Sequence, residues 1–331
     1  MKGPSKGDPF QGCPEFERPI LELDLKIKEF EALGESTQTD FSQETRSLCH
    51  LRDKLVEKIY LKLSPWDRVK LARHPERPMT SHYIDLIFND FIELFGDRLF
   101  ADDRAIVTGF AMLGDERVLL VGHRKGKTTE ARIGCNWGCA HPEGYRKALL
   151  KMKLAEKFGI PVVTLINTPG AYPGIGAEER GQAGAIAKNI LEMSRLKVPI
   201  VSVVIGEGGS GGALGIGVCD YLFILQYSYY SVISPEGCAA ILWKNGEKAP
   251  EAASALKLTP EFLSEVKIVD EVIPEPLGGA HRDPNTMAFR LRDAILSRLK
   301  SLKELSAEDL LEKRYKKYRC IGNPPVDVDP S

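Results

Sequence analysis

The most informative stretch of the chain is Ile205-Gly206-Glu207-Gly208-Gly209-Ser210-Gly211-Gly212-Ala213-Leu214-Gly215-Ile216-Gly217. It follows residues 199–204, an apolar run rich in valine and isoleucine, which predicts a buried strand. Glycines let the backbone come close to a bound group, and the small residues that follow suit a tightly packed helix. A strand therefore delivers backbone N–H groups to the start of a helix, an arrangement that holds negatively charged oxygens.

The same arrangement occurs once before it. Residues 161–166 predict a strand, residues 167–174 a loop of glycine and proline, and residues 177–196 a helix with Glu178 and Glu179 in its first turn. Consecutive strand–loop–helix units indicate crossover connections and a parallel sheet, hence the α/β class. Ligands bind beyond the carboxyl ends of such strands, so both loops are expected to line one site.

Composition excludes several classes of protein. The chain has 331 residues, a formal net charge of −1, 43% hydrophobic and 27% charged residues, which is typical of a soluble protein with a large core and gives no general argument for a nucleic-acid partner. No apolar run approaches the roughly 20 residues of a membrane span, and the polar start is no secretion signal. Seven scattered cysteines favour reduced thiols, so a cytoplasmic location is predicted.

The chain divides into four predicted regions. Residues 1–17 are expected to be a flexible tail, and residues 18–78 form a helical hairpin, because two charged, leucine-rich stretches on either side of Gly34 carry apolar residues at helical spacing. Residues 79–305 form the main domain. Residues 306–331 form a C-terminal helix and a tail that frays near its end.

The main domain begins with a predicted helix. Thr80 or Ser81 would cap it, and the apolar residues from Ile84 to Phe95 would form one buried stripe along it. The other predicted elements are strands at 105–113, 117–122 and 220–225 and helices at 142–158, from Pro235 onward and at 284–318.

The glycine loop allows three interpretations. Its Gly-x-Gly-x-x-Gly spacing is that of dinucleotide-binding loops, but no acid ends the next strand to hold a ribose. Its Gly-x-Ser-x-Gly spacing is that of serine hydrolases, with Ser210, Asp270 and His281 in the required order, although His281 lies in what reads as an exposed loop. In the third interpretation, the N–H groups of Gly211 and Gly212 bind an oxyanion and no side chain acts as nucleophile.

One short segment contains three potential metal ligands. Cys135, Cys139 and His141 lie close together in sequence, but structural zinc usually takes two pairs of ligands and no second pair follows. Buried free thiols are the alternative, and no metal site is predicted on this chain.

Several long motifs in order resemble the alpha subunit of the carboxyltransferase of bacterial-type acetyl-CoA carboxylase. The likeness extends from about residue 16 to 322 and rests on residues 142–148, 168–174, 177–182, 206–214 and 230–237, with residues 277–282 and Arg314-Tyr315 toward the end. This combination is far more specific than any single glycine pattern.

The resemblance implies a crotonase-like (ClpP/crotonase) fold of repeated ββα units. It implies transfer of a carboxyl group from carboxybiotin, held on a separate biotin carboxyl carrier protein, to acetyl-CoA, giving malonyl-CoA for fatty-acid biosynthesis. The implied partners are a carboxyltransferase beta subunit, in an alpha2beta2 assembly, and the biotin carboxylase of this ATP-binding complex. A zinc ribbon is expected only on the beta subunit, and the chain is expected to be active only with that partner.

Site residues follow from the same resemblance. Gly211 and Gly212 would hold the ureido oxygen of biotin as negative charge develops on it. The carboxybiotin pocket would be formed by Gly170, Ala171, Tyr172, Pro173, Gly174, Gly208 and Gly209. Three features depart from the family pattern, namely Asn167, where the family has aspartate, the pair Cys135 and Cys139, and an N-terminal extension longer than expected.

Overall fold

The computed structural model describes residue 10 and residues 12–322. Part of the predicted tail (residues 1–9 and 11) and the predicted frayed end (residues 323–331) lie outside the described residues. The strands are β1 (Asn89–Glu93), β2 (Ile106–Leu113), β3 (Glu116–His123), β4 (Val162–Thr168), β5 (Ile200–Gly209), β6 (Tyr221–Leu225), β7 (Tyr229–Ser231) and β8 (Glu271–Ile273).

Helices connect and cover these strands. They are α1 (Arg18–Thr37), α2 (Ser42–Tyr60), α3 (Pro65–Ala72), α4 (Thr80–Ile87), α5 (Thr129–Gly134), α6 (Pro142–Lys157), α7 (Ile175–Glu179), α8 (Gln182–Met193), α9 (Ser210–Leu214), α10 (Pro235–Trp243), α11 (Ala249–Leu256), α12 (Pro260–Glu265), α13 (Pro284–Lys303) and α14 (Ala307–Cys320). Short 3-10 turns occur at Glu15–Glu17, Asn136–Gly138 and Gly246–Lys248.

The strands form one mixed sheet in the order β1-β2-β3-β4-β5-β6-β8, with β7 paired to the end of β5. The β1–β2 and β2–β3 pairs are antiparallel, and every pair from β3 onward is parallel. The predicted parallel units at β4 and β5 therefore lie side by side, and their carboxyl ends share one edge of the sheet.

Both faces of the sheet are buried. Alternate residues of a strand point to opposite faces, so Leu119 and Val121 of β3 pack with Met152 of α6 on one side. Leu120 of β3 packs on the other side with Leu291 of α13 and the residues of α4. This three-layer arrangement explains the near-continuous apolar runs of β4 and β5.

The first two helices pack antiparallel. Asp24 of α1 pairs with Arg52 of α2 at 3.4 Å, and the rings of Phe30 and Phe41 lie 5.6 Å apart near the connection. The first helix runs past Gly34 to Thr37, so this glycine does not end it. The four-region division of the chain remains a prediction.

The predicted helix over residues 80–95 is wrong in its second half. The helix ends at Ile87, and after Phe88 the residues Asn89–Glu93 form the edge strand β1, which pairs with β2. Asp90 adopts a left-handed conformation (φ 50°) that interrupts helical hydrogen bonding. Phe91 lies against Gly109 of β2, where a Cβ would come within 2.5 Å of its ring. The N-cap also differs from the prediction of Thr80 or Ser81. Met79 is the N-cap residue, and the side chain of His82 accepts its backbone N–H.

The predicted helix over residues 177–196 is two helices, α7 and α8. Gly181, with φ 81°, interrupts it, since this conformation cannot continue a right-handed helix. The C-terminal helical stretch is likewise divided into α13 and α14, and Ser306 caps the second by accepting the N–H of Asp309 at 3.1 Å.

No helix within the described residues combines the length and the apolar character that a bilayer span requires. All seven cysteines lie in the described part of the chain, and none of them forms a disulfide.

Candidate functional site

The two glycine loops meet at the carboxyl ends of β4 and β5. A Cβ on Gly209 would lie 2.2 Å from the carbonyl oxygen of Pro169, and a Cβ on Gly212 would lie 2.4 Å from the carbonyl carbon of Gly170. Real side chains do not tolerate such distances. The loops can therefore pack backbone against backbone only because these positions carry no side chain.

The chain turns sharply from β5 into α9 at Ser210, which is exposed and adopts a left-handed conformation with φ 50°. Gly211 and Gly212 follow in the first turn of α9. N–H groups in the first turn of a helix have no acceptor within that helix, so α9 itself satisfies neither of these two donors.

An open cavity of about 470 Å³ lies between the two loops. Its lining residues are Pro169, Gly170, Ala171, Tyr172, Pro173, Glu178, Gln182, Ala183, Ile186, Ser210, Gly211, Val232, Ile233 and Ser234. The structure thus brings together five of the residues predicted from sequence, namely Gly170, Ala171, Tyr172, Pro173 and Gly211.

The other four predicted residues do not line the cavity. Gly212 packs against the Gly170 loop, and Gly209 packs against Pro169 in the same way. A Cβ on Gly208 would lie 2.5 Å from the ring of Tyr230, and one on Gly174 would lie 2.4 Å from the ring of Tyr172. These four glycines therefore set how closely the loops and the neighbouring rings approach the cavity.

Sequence reasoning did not single out Gln182, which holds the first loop in place. Its side-chain amide donates to the carbonyl oxygens of Ala140 and Tyr172, at 2.8 and 2.9 Å. The Tyr172 N–H donates to the same Ala140 carbonyl, and the Tyr172 ring stacks on His141 at 4.2 Å between centroids. The sequence signal that could have identified this residue is a glutamine at the start of a helix, directly after the first loop.

Asn167 links the bases of the two loops. Its Oδ1 accepts the N–H of Glu207 at 3.1 Å, and its own N–H donates to Nδ1 of His123 at 3.3 Å. The carbonyl oxygen of an asparagine makes the first of these bonds, so departure from the family's aspartate does not remove it. Burial and the charge of Lys125 lower the pKa of His123 to about 3, although the backbone of Gly212 and Leu165 acts in the opposite direction.

A buried carboxylate, that of Glu207, lies under the glycine loop. It pairs with Nε of Arg73 at 2.6 Å and with Nζ of Lys125, and it accepts the hydroxyl of Tyr229 at 2.8 Å. Burial alone would raise its pKa, but the charges of Lys125 and Arg73 lower it to about 2. In the sequence, Glu207 is a charged residue inside a run of apolar residues and glycines, but it was not predicted to have a role at the site.

The residues of the hydrolase interpretation are not assembled. The prediction that His281 is exposed is wrong, because its side chain is only 7% exposed and its Nε2 pairs with Glu17 at 3.0 Å. Asp270 pairs with Lys317 and accepts the N–H of Leu222. Ser210 has the strained strand-to-helix conformation of a nucleophile, but both of its required partners are engaged elsewhere.

Within the described residues, Cys135, Cys139 and His141 do not converge as a group of potential metal ligands. His141 stacks on Tyr172 and shares a 3.1 Å contact with the Asn136 amide, and Cys135 is buried. Burial raises the pKa of both Cys135 and Cys139, which disfavours the thiolate that binds metal.

A different group of potential ligands does converge among the described residues, namely Glu17, His74 and His281. Nδ1 of His74 accepts the N–H of Glu76 at 3.1 Å, so its proton must lie on Nε2. That nitrogen faces Glu17 at 3.3 Å, and the two histidine rings stack 4.0 Å apart. The two stacked rings and the carboxylate between them form a hydrogen-bonded clamp.

Comparison with known proteins identifies close relatives. Residues 13–322 match the family model described as acetyl co-enzyme A carboxylase carboxyltransferase-like. The chain is 52% identical over 312 residues to the acetyl-coenzyme A carboxylase carboxyl transferase subunit alpha of Rhodopirellula baltica, covering 93% of this chain and 96% of that protein. It is 54% identical over 310 residues to the subunit alpha of Pseudomonas paraeruginosa, covering 94% and 98%.

Among solved structures, the chain resembles the beta subunit of geranyl-CoA carboxylase from P. aeruginosa. The TM-score is 0.53 at 18% identity, and the match covers 76% of this chain and 46% of that chain. A likeness at this identity concerns the fold alone, and it confirms the crotonase-like fold that the sequence motifs predicted.

Proposed function

The chain belongs to the acetyl-CoA carboxylase carboxyltransferase family, and from this membership we propose that it is the alpha subunit of the carboxyltransferase. The reaction moves a carboxyl group from carboxybiotin on a carrier protein to acetyl-CoA and gives malonyl-CoA for fatty-acid biosynthesis. The observation that carries the proposal is the cavity between the two glycine loops, whose floor is the start of α9.

The residues of this cavity fit the ureido ring of biotin. The ring is small, neutral and planar, and the cavity offers apolar walls from Ile186 and Val232 beside the polar backbone of Gly211. Carboxybiotin supplies the carboxyl group, and the loss of that group places negative charge on the ureido oxygen. The N–H groups of Gly211 and Gly212 stabilise this charge, because fixed donors at a helix start need no reorganisation.

The remaining predicted residues shape the pocket. Gly170, Ala171, Tyr172 and Pro173 form the opposite wall, and Tyr172 is fixed by its stacking on His141. Gly174 and Gly209 leave room for Tyr172 and Pro169 of this wall, and Gly208 leaves room for the ring of Tyr230. No side chain acts as a nucleophile, so positioning of two substrates accounts for the rate.

A partner subunit completes the site. Val232 at the cavity and Ile175 beside the first loop are each 79% exposed, and Ile241 on α10 is 72% exposed. Apolar side chains around a site are typical of a surface that another protein covers. We propose that the beta subunit covers it, carries the zinc ribbon and binds most of acetyl-CoA, in an alpha2beta2 assembly.

Two further proteins act with this assembly. The biotin carboxyl carrier protein brings the biotin, and biotin carboxylase loads it with the carboxyl group in an ATP-dependent step. We place the complex in the cytoplasm, where thiols such as the seven of this chain stay reduced.

Isotope transfer tests the proposal. The chain is copurified with a zinc-ribbon beta subunit and supplied with carrier protein bearing labelled carboxybiotin and with acetyl-CoA. Label should appear in malonyl-CoA. Absence of labelled malonyl-CoA from an intact complex, or cleavage of a simple ester by the chain with labelling of Ser210, would overturn it in favour of a binding subunit or a hydrolase.

A further inference from the structure

We infer that Glu207 is a positioning residue for carboxyl transfer, holding the two glycine loops and the segment before α10 in register through its charge. The inference rests on the proposed function, because it concerns the same cavity. Glu207 does not line that cavity, so it would act through the backbone rather than by touching the substrate.

The location of Glu207 suits this role. It lies near the end of β5, three residues before Ser210, and only 4% of it is exposed. Its N–H donates to Asn167 at the end of β4, and its backbone pairs with Tyr229 of β7. Three strands that lead into the cavity wall therefore meet at this residue.

Its carboxylate connects further segments. Lys125, from the loop after β3, and Arg73, which follows α3, both pair with it. Arg73 also pairs with Glu236 in the first turn of α10 and donates to the Tyr229 hydroxyl at 3.1 Å. Residues 232–234, which line the cavity, lie between these two anchors. One buried charge thus ties together β4, β5, β7, the loop after β3 and, through Arg73, the segment before α10.

Removal of the charge should disturb this arrangement. Two partly buried cations would remain close together under the loop, and Glu236 is the one acid among the described residues that still pairs with either of them. A charge that loses its partner in such a position is unfavourable. A merely structural ion cluster would show this as lost stability alone. A positioning residue would also lower kcat, since donors displaced from the reacting oxygen no longer stabilise the transition state.

The principal variant is Glu207→Gln, assayed in the complex with the beta subunit and the carboxylated carrier protein. We expect kcat to fall by about 10- to 100-fold with the KM for the carrier nearly unchanged. A kcat near that of the wild type would overturn the inference. Failure of the wild-type complex itself to form malonyl-CoA would instead overturn the proposed function, so the two failures are distinguishable.

A charge-balanced variant separates the two roles. Glu207→Gln combined with Lys125→Met removes one cation along with the anion, so thermal stability should recover toward the wild type. The link between the β3 loop and β5 is still absent, and kcat should stay low. Recovery of kcat in step with stability would show a merely structural role and overturn the inference.

A matched control lies at the other end of the same strand. Asp220 accepts the N–H of Ile200 at the start of β5 and pairs with buried Arg314 at 2.8 Å. Asp220→Asn should lower stability and leave the kcat of the folded complex unchanged; an equal loss of kcat would overturn the inference.

If Glu207→Gln does not fold, Tyr229→Phe removes the hydroxyl that donates to the same carboxylate and accepts from Arg73. It should lower kcat by about fivefold or more, as expected for the loss of one or two hydrogen bonds. Unchanged kcat in this variant would also overturn the inference.

Discussion

Gly211 and Gly212 are neighbours in sequence but have different surroundings. A Cβ on Gly211 would meet only the side chain of Ile186, at an ordinary 3.7 Å, whereas a Cβ on Gly212 would collide with the Gly170 loop. Neither glycine has a positive φ. The requirement for glycine at residue 212 is therefore one of space between two backbones rather than of backbone conformation.

Gly212→Val should lower carboxyl transfer by at least about 10², because the side chain must push the Gly170 loop or the donor out of place. Assembly with the beta subunit should survive, since the exposed surface is unchanged. Turnover is measured beside elution with the partner. Gly184→Ala is the matched control, because nothing lies within 4 Å of its Cβ position. Near-normal turnover of the Gly212 variant with intact assembly would show that this loop does not carry the oxyanion site.

Ser210→Ala should keep turnover within about threefold of the wild type, because His281 and Asp270, the base and the acid of the hydrolase interpretation, are engaged elsewhere. The readouts are malonyl-CoA formation and labelling by a fluorophosphonate probe. Labelling of Ser210 together with loss of activity in the variant would contradict this prediction and support a hydrolase.

At the scale of the elements, the strands of the sheet were predictable and the interruptions were not. The apolar runs of β4 and β5 are buried on both faces and so carry an unambiguous signal. The change from helix to strand at Asn89 depends on β2, a pairing partner distant in sequence, whereas the break at Gly181 comes from the left-handed conformation of that glycine. A local pattern of apolar residues cannot distinguish a helix stripe from an edge strand under those conditions.

The clamp of Glu17, His74 and His281 joins the turn before α1 to the rest of the chain. Hydrogen bonds from the histidines lower the pKa of Glu17, although burial opposes this. Burial lowers the pKa of His281 below its ordinary 6.5. Arg77 repels the charged form of His281, and the hydroxyl of Tyr60 donates to Glu17.

These shifts give a pH dependence of one sign. When the folded-state pKa lies below the unfolded value, the unfolded chain binds more protons than the folded chain. The contribution of these two groups to the free energy of unfolding is therefore complete above pH 6.5. It is lost as the pH falls through the titration of His281 and then of Glu17. Urea unfolding at pH 7.5 and 5.5 should show this loss, and His281→Gln should show a smaller one. An equal loss in both proteins would contradict the assignment, because His123 and the other groups titrate in each.

At the scale of the whole molecule, long motifs identified the family and the cavity, whereas the supporting residues came from the structure. Gly170, Tyr172 and Gly211 could be predicted because their motifs are contiguous. The network around Glu207 joins residues as far apart in sequence as Arg73 and Glu236, so no local pattern reveals it. The clamp around His281 was missed for the same reason.

The central claim is that this chain carries one half of a two-substrate site. The most direct measurement is malonyl-CoA formation by the chain alone, by the beta subunit alone and by the two combined, each with carboxylated carrier protein and acetyl-CoA. We predict that either subunit alone is catalytically poor and that the combination restores transfer, because the cavity and its exposed apolar rim lie open until a partner covers them. Robust malonyl-CoA formation by this chain alone would contradict the account.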